Sequence, residues 1–539
     1  MKRTVCILLV IAIVFSLTSC SKIKEIFSGQ QEQSFSYPIE KMPESLDPQI
    51  ASAPAELIVI ENCMEGLVRL NEKGDVVPAV ADSWDISADG LKYTFHLNAN
   101  ALWNVDTSDE DFELENFDTH ITAQDFVFAI SRAVKQETQA PDFQSVSLIK
   151  NAGKINASGK NDTSSLGVKA ADAHTLVITL ESANSDFLKS LTAAVFMPCD
   201  EQFFEYCSGR YGRQADYFLS NGGFELGAWT DTNLVLKKSE SYALSNGAKA
   251  DSVTLYRDEN AFESFKNNNY DALAVEDDNI DEALADKSLH VQTYDDTVWA
   301  FAVNCGSKIG SYKQLRQALM CGFDRSEFTA PEWASDPAGI VPNICTAGGE
   351  GYRKAAGAAT PRAFSAAKAG EYYRSFSDKY MRDTDSDEIP VFRFLCTAAF
   401  EQIAKQMVQS WQMEFGTGFE VKIAVLSLDE MTEHLSAGSF DGVIMPVSAD
   451  TTDALVFLKK FSAENDFAYS SNTYNHLLAS DKSEVKKCMQ AEQLLLSDAV
   501  IYPLYAANSY YVQRAGISGI YFYAFGGKVN FLNAERVEG

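Results

Sequence analysis

Lys92-Tyr93-Thr94-Phe95-His96-Leu97 and Ile121-Thr122-Ala123-Gln124-Asp125-Phe126-Val127-Phe128 decide the fold class between them. The first alternates apolar and polar residues with period two, as a strand with one buried face does. Asp89-Gly90 stands just before it as a tight turn, where glycine supplies a positive φ. The second opens a helix over 122–135, with Phe126, Val127, Ala129, Ile130, Ala133 and Val134 at helical spacing. Thr122 is a fitting N-cap, and Asp125 three residues later completes a capping box. Strand and helix signals keep alternating outward from here. Residues 175–180 form another alternating strand after the polar Asp172-Ala173-His174 turn. Residues 400–414 make an amphipathic helix with Ile403, Met407, Val408 and Trp411 on one stripe. Strands follow at 420–426 and 440–447, then a helix at 491–498 before Tyr502-Pro503-Leu504-Tyr505. The class is α/β, without internal repeats. Residues 105–118, 153–165 and 378–388 read as surface loops.

At roughly 150 residues per domain, a chain of 539 residues has room for about two to four domains. Hydrophobic residues make up 46% and charged residues 22%, so the chain can bury a large core. There are 45 Lys plus Arg against 75 Asp plus Glu, a formal charge of −30. A field of that sign repels phosphate backbones and anionic headgroups, which excludes nucleic acid as a partner and a basic surface as a membrane attachment.

The N-terminus supplies a different attachment. Lys2 and Arg3 precede an apolar run over residues 5–18, too short to span a bilayer but of secretory length. The run ends in Leu17-Thr18-Ser19-Cys20, which resembles a bacterial lipobox. Residues 1–19 are then a signal peptide, and Cys20 is the lipidated mature N-terminus. Two acyl chains suffice for stable anchoring. Residues 20–33 are the lipidated Cys and a polar tether. Cleavage removes Lys2, Arg3 and no acid, so −30 becomes −32. The remainder is expected outside the cytoplasm.

Eight Cys remain beyond Cys6 and Cys20, at 63, 199, 207, 305, 321, 345, 396 and 488. Most sit in apolar contexts, as buried free thiols do, while Cys199 and Cys207 are close enough in sequence to flag as a pair. The six His, at 96, 120, 174, 290, 434 and 476, form no metal-binding pattern. Asp383-x-Asp385-x-Asp387 imitates the start of a calcium loop. Its sixth position is Glu388 and its twelfth Phe394, so it reads as a solvated loop. No nucleophile elbow, Walker loop or dinucleotide fingerprint occurs. No metal, cofactor or catalytic residue is expected, and the reading is not an enzyme.

Several segments in order resemble the extracellular solute-binding proteins of ABC importers, in the peptide/nickel-binding class. They are Ser45-Leu46-Asp47-Pro48, Met64-Glu65-Gly66-Leu67-Val68, Pro78-Ala79-Val80-Ala81-Asp82-Ser83-Trp84, then 89–97 with Trp103, and 121–128. Leu176-Val177-Ile178-Thr179-Leu180, Asn221-Gly222-Gly223-Phe224, Arg316-Gln317-Ala318-Leu319 and Phe323-Asp324-Arg325 continue the series. Each is weak alone, but in this order after a lipobox they cover nearly the whole mature chain. Physically these are fold markers. Trp84 and Trp103 pack around the hairpin, Asn221-Gly222-Gly223 permits close backbone approach, and Arg316 with Asp324-Arg325 suggests a buried or interdomain ion pair.

The resemblance implies a bilobal, periplasmic-binding-protein-like α/β fold (type II, large peptide-binding cluster) with an extra subdomain. Lobe I would comprise 34–64, 191–298 and 504–539, with 65–190 appended and 299–503 as lobe II. It implies a monomer that captures extended oligopeptides between the lobes and delivers them to an ABC permease and ATPase. Oligopeptide-binding proteins are the closest within the class. Their amine-anchoring Asp aligns with Asp450, after Phe440-Asp441-Gly442-Val443-Ile444-Met445-Pro446-Val447-Ser448-Ala449. A carboxylate facing an ammonium in a water-poor cleft makes a strong charge-assisted contact. Asp450 as the cap of the following helix is the alternative. Backbone partners for the peptide fall at 50–54, around Ser52, and at Pro446 to Ser448. Trp299, Phe301 and Tyr505 fall where the family lines its cleft, although aromatics fill cores equally well. The sequence departs from the pattern at several points. Pro54 and Pro446 offer only carbonyls, Thr451 and Ala454 replace Tyr and Pro, and Gln314 replaces an Arg. The same fold could instead hold an oligosaccharide, haem or a chelated metal, or serve a surface receptor or adhesin.

Overall fold

The computed structural model describes residues 33–537 except 72–73, 106–113, 115, 185, 243, 245–246, 276–278, 332, 387, 417, 463–466 and 480–482. The signal peptide, Cys20, most of the 105–118 stretch and Asp387 therefore lie outside the described residues.

The chain begins with β1 (Ser34–Ile39) and α1 (Pro54–Cys63). Then β2 (Ala81–Ile86), β3 (Lys92–Leu97), α2 (Ala123–Val134), β4 (Val168–Asp172) and β5 (Thr175–Thr179) form a unit. Its antiparallel sheet runs β2-β3-β5-β4. β3 and α2 form where alternation and capping place them. Thr122 and Asp125 make the reciprocal cap, with Gln124 N–H donating to the Thr122 hydroxyl and Thr122 N–H donating to Asp125 at 2.7 Å. Gly90 takes φ +70 in the turn before β3. Next, β6 (Phe224–Trp229), β7 (Asn233–Lys238) and β8 (Ser252–Arg257) join β1 in the order β1-β8-β7-β6. β1 lies parallel to β8. One hydrophobic core carries Phe35, Val59, Trp103, Phe126, Leu176, Phe224 and Leu255 together, so 65–190 packs into the same core as its flanks.

The Ser45-Leu46-Asp47-Pro48 motif is an architectural tie. Asp47 takes a hydrogen bond from Arg132 Nη2 at 2.6 Å, and both side chains are buried. Arg132 also donates to Gln49 at 2.6 Å and lies 3.9 Å from the Phe204 ring centroid. It thereby joins α2 to the segment ahead of α1. Gly222 packs on α1, where a Cβ would stand 2.6 Å from the Cys63 carbonyl carbon. Asn221 and Gly222 both donate N–H to that carbonyl.

The second half is built on β9 (Ala272–Val275) and β10 (Leu289–Val303). It continues with α3 (Lys313–Cys321), α4 (Ala366–Thr384), β11 (Phe392–Cys396), α5 (Glu401–Phe415), β12 (Val421–Val425) and β13 (Gly442–Ser448). It ends with α6 (Ala454–Lys459), α7 (Val485–Ser497) and β14 (Ile501–Arg514). Their sheet runs β9-β14-β10-β13-β11-β12. Successive residues of β10 face opposite cores. Val298, Ala300 and Ala302 pack with Val443, Phe457 and Leu495, while Trp299, Phe301 and Val303 pack with Phe376, Phe394 and Trp411. A sheet covered on both faces explains the unbroken apolar run at 298–303.

Four expectations change. Residues 152–158 form a helix, closed by Gly159 in the left-handed region. Residues 378–384 are the last turns of α4, where Lys379 pairs with Asp383 at 2.6 Å. Arg316 is buried against carbonyls of Gly310, Ser311 and Asp498 instead of in a direct ion pair, and Arg325 pairs with the exposed Asp336. Cys199 and Cys207 are free thiols, as are Cys63, Cys305, Cys321, Cys345, Cys396 and Cys488. Cys199 Sγ instead takes a contact from Arg132 Nη1 at 3.5 Å.

Removing one member of a buried ion pair leaves the other charged and unpaired, at a cost of about 3–5 kcal/mol. Arg132→Ala should therefore lower unfolding free energy by that amount in urea melts. Burial pushes the thiols of Cys199 and Cys345 up to about 12, and those of Cys207, Cys305, Cys396 and Cys488 to about 11. In a chain lacking residues 1–20, a thiol reagent at pH 8 should react slowly with the native protein. All eight Cys should react after unfolding without reductant. A shortfall of two would indicate a disulfide.

Candidate functional site

β10 and β14 pair along nearly their whole length, from Leu289↔Arg514 to Ala302↔Ile501. The far end of β14 pairs with β9 on its outer side, and the opposite end of β10 pairs with β13 on its outer side. Register shifts interrupt the ladder between Tyr294 and Thr297 and after Trp299. Asp295 and Asp296 occupy the first irregularity, and carboxylates are poorly suited to a strand interior.

Asp296 is 4% exposed. Its carboxylate accepts from Ser509 N–H at 3.2 Å, Ser509 Oγ at 2.7 Å and Thr297 Oγ1 at 3.2 Å. Burial pushes its carboxyl above the ordinary value, and the Ser509 and Thr297 bonds draw it part of the way back. Its carbonyl accepts Ala449 N–H at 2.9 Å. Thr297 and Ser448 share a hydroxyl–hydroxyl bond of 2.8 Å. The carboxylate is thus wired into β14 and into the end of β13. Beside it, Asp295 accepts from Asn343 Nδ2 and from Ile344 N–H, while its Oδ1 is buried with no partner.

β13 has an open edge beyond its first two residues. On one side it pairs with β10 from Gly442 to Ser448, whereas β11 reaches only Gly442 and Val443 on the other. Hydrogen bonds of an antiparallel pair alternate in direction. Ala449 N–H points to β10, so Val447 also faces β10. The Pro446 carbonyl and the Ser448 N–H and carbonyl face the open side. Pro446 thus stands at a position whose missing N–H breaks no bond to β10.

Asp450 follows at once and is exposed. It does not cap α6, because Asp453 does, accepting from Leu455 N–H at 2.6 Å and Val456 N–H at 3.2 Å. Asp450 Oδ2 lies 2.5 Å from Lys460 Nζ. Next to it, Thr452 Oγ1 accepts from Lys189 Nζ at 3.1 Å across 263 residues. The Thr452 carbonyl takes Thr346 N–H and Oγ1. Asp186 is raised by burial and then by Asp453 opposite.

The aromatics divide from this group. Tyr505, Trp299 and Pro446 are directly paired across β14, β10 and β13. Trp299 stacks on Phe400 with centroids 4.3 Å apart. Tyr505 is buried, its hydroxyl without a partner. Phe301 is fully enclosed by Phe323, Phe394 and Trp411, a core position. Ser52 is exposed, but its N–H is committed to Glu56 Oε2 at 2.9 Å, as is that of Ala53 at 3.0 Å. The N–H groups of Ile50 and Ala51 go to the Asp47 carbonyl. The 50–54 backbone therefore presents no uncommitted N–H. Sequence reading missed Asp295, Asp296, Lys189 and Lys460. Two adjacent acids inside a run of strand formers were the signal for the first pair. Among the described residues, no group of three or more His, Cys, Asp or Glu side chains is placed to hold a metal, and no helix is long and apolar enough to cross a membrane.

Two packed halves joined by shared strands, with polar groups gathered where those strands cross, define a bilobal α/β solute-binding protein. The chain matches the model of bacterial extracellular solute-binding proteins, family 5, over residues 75–469 and belongs to that family. It is 25% identical over 500 residues to the dipeptide-binding protein DppE of Bacillus subtilis, covering 89% of this chain and 88% of that one. It is 23% identical over 527 residues to the oligopeptide-binding protein OppA of the same organism, covering 92% and 91%. The substrate-binding domain of an oligopeptide ABC transporter from Bacillus anthracis superposes with a TM-score of 0.75 at 23% identity, covering 94% of this chain and 99% of that one. The Escherichia coli murein tripeptide binding protein MppA does so with 0.73 at 22%, covering 95% and 99%.

Asp296→Ala strips three donors of a buried acceptor and should destabilise the protein by about 1–3 kcal/mol. Asp296→Asn, which keeps a carbonyl toward Ser509, should cost less. Urea melts of the two variants check the order.

Proposed function

We propose that this protein is the substrate-binding component of an ABC importer. It takes extended oligopeptides between its lobes and hands them to a membrane permease and ATPase. The observation that carries the reading is the open edge of β13, whose outward Pro446 carbonyl and Ser448 N–H and carbonyl run directly into the exposed carboxylate of Asp450. A peptide added along that edge gains main-chain hydrogen bonds that read no sequence. Its α-ammonium then reaches Asp450. The relatives, a dipeptide-binding and an oligopeptide-binding protein, support the same ligand class.

In this reading lobe I comprises 34–64, 191–298 and the C-terminal segment, with 65–190 appended, and lobe II begins at 299. Leu504, Tyr505 and Ala507 pack with Trp299 and Phe394, which argues for drawing the last boundary near residue 507 instead of 504. Closure is a hinge motion about the β10 and β14 irregularities. Trp299 and Tyr505 would border the cleft from the core side. The molecule works as a monomer, performs no catalysis and is held at the outer face of the cell membrane by a lipid on Cys20. The Leu17-Thr18-Ser19-Cys20 sequence and the short apolar run before it support that anchor.

Calorimetric titration with a mixed pool of short peptides tests the reading. Asp450→Ala should weaken binding about tenfold or more, equivalent to about 1.4 kcal/mol. Unchanged affinity removes the anchoring role, and heatless titration of the wild-type protein removes the peptide ligand. Mass spectrometry of the lipid-modified N-terminal peptide checks Cys20.

A further inference from the structure

The carboxylate assigned to the ligand amine already holds an ammonium of the protein itself. Lys460 stands at the C-cap of α6, and Asp450 lies just ahead of the turn that starts the same helix. The short helix folds the chain back so that Lys460 Nζ reaches Asp450 Oδ2 at 2.5 Å. The pair is open to solvent on the Asp450 side, with side-chain exposures of 71% for Asp450 and 31% for Lys460. Exposed pairs of this kind contribute about 0–1 kcal/mol. The contact is therefore weak enough to exchange.

We propose that Lys460 is a built-in competitor for the ligand's α-ammonium and a specificity-determining residue of the site. This rests on the reading of Asp450 as the anchor. A primary ammonium on a flexible stem is the chemical equivalent of a peptide N-terminus. A ligand amine that seats on Asp450 either displaces Lys460 or shares the carboxylate with it under like-charge repulsion, and both lower the affinity. A ligand without an N-terminal ammonium leaves the internal pair in place and gains nothing from Asp450. Lys460 also keeps the carboxylate compensated between ligands, which spares the open site an unpaired charge beside Asp453 and Asp186. Lys189 is not the group on this carboxylate, since its ammonium reaches the Thr452 hydroxyl and faces Asp186, whereas Lys460 is the cation that contacts Asp450.

The probes are an equimolar pool of free-amine tripeptides and the same pool Nα-acetylated. Each is titrated calorimetrically into the wild-type protein, Lys460→Met, Lys460→Gln, Asp450→Ala and the Lys460→Met/Asp450→Ala double variant. Both Lys460 variants should bind the free-amine pool about two- to fivefold more tightly and leave the acetylated pool unchanged. In the Asp450→Ala background, Lys460→Met should have no effect. Unchanged or weaker binding by Lys460→Met and Lys460→Gln, with Asp450→Ala still weakening binding, overturns the competition while leaving the anchor intact. Full binding by Asp450→Ala overturns the anchor and the competition with it, as does the absence of binding by the wild-type protein. Melting curves confirm that each variant is folded.

Discussion

The structure depends on one shared element, the antiparallel ladder of β10 and β14. Its two strands are long enough to belong to both halves at once. At one end they carry β9 and at the other β13, β11 and β12. No other sheet among the described residues joins the two cores. A continuous hydrogen-bonded pair resists separation of the lobes but permits bending where the ladder is irregular, and it is irregular at Asp295–Asp296 and beside Trp299. A bulge locally increases twist and leaves residues unpaired, so the crossing is also where polar side chains can stand. Asp296 uses that freedom. It sits on β10, accepts from β14 and holds the end of β13 through its carbonyl. Bending there would therefore carry the open edge of β13 as a unit with the second half.

Buried charge elsewhere is used for fastening. Asp47 and Arg132 tie the appended unit to the segment before α1, and Glu492 joins Arg353, Tyr352 and the Ile340 N–H in the second half. Each of these acids is matched by donors. That is the condition under which a desolvated carboxylate is tolerated. The surface excess of acid is a separate matter. At physiological ionic strength, charges beyond about 8 Å are largely screened.

Elements with a single environment were legible in the sequence. β3 faces one core and solvent, so period two shows. α2 has a cap box and an apolar face, so both ends fall where Thr122 and Lys135 predict. The helix at 152–158 was not legible, because Gly153, Asn156 and Ser158 resemble a loop and only Ala152 and Ile155 are buried. The candidate aromatics were ambiguous for a physical reason. A strand covered on both faces is apolar throughout, so nothing local separates Trp299, half a strand from the crossing, from Phe301, which is sealed in the core. Asp450 was singled out as a candidate by resemblance alone. Its tertiary partner Lys460 lies ten positions away across a turn and a short helix, a spacing that no periodicity reveals.

What the site asks of a ligand follows from the division of labour along β13. The open edge offers groups that every peptide backbone can meet, and Pro446 removes one donor where the strand would otherwise present it. Such an edge holds extended chains without distinguishing their side chains. Discrimination must then come from the ends of the ligand, where charge is localised. Asp450 stands at the end of the edge with 71% of its side chain exposed, a placement that an isolated carboxylate could use only weakly in water. In the proposed reading, closure over a ligand would change its value. The Lys189 contact to Thr452 brings the appended unit onto the 450–452 turn, and a ligand seated there would displace the solvent that still reaches Asp450 and lower the local dielectric. An ammonium–carboxylate contact strengthens as that happens. The acidic excess of the whole chain is too distant and too screened to supply this. In the proposed reading, the ligand end would be selected by the few charges that the paired strands and α6 gather within one turn.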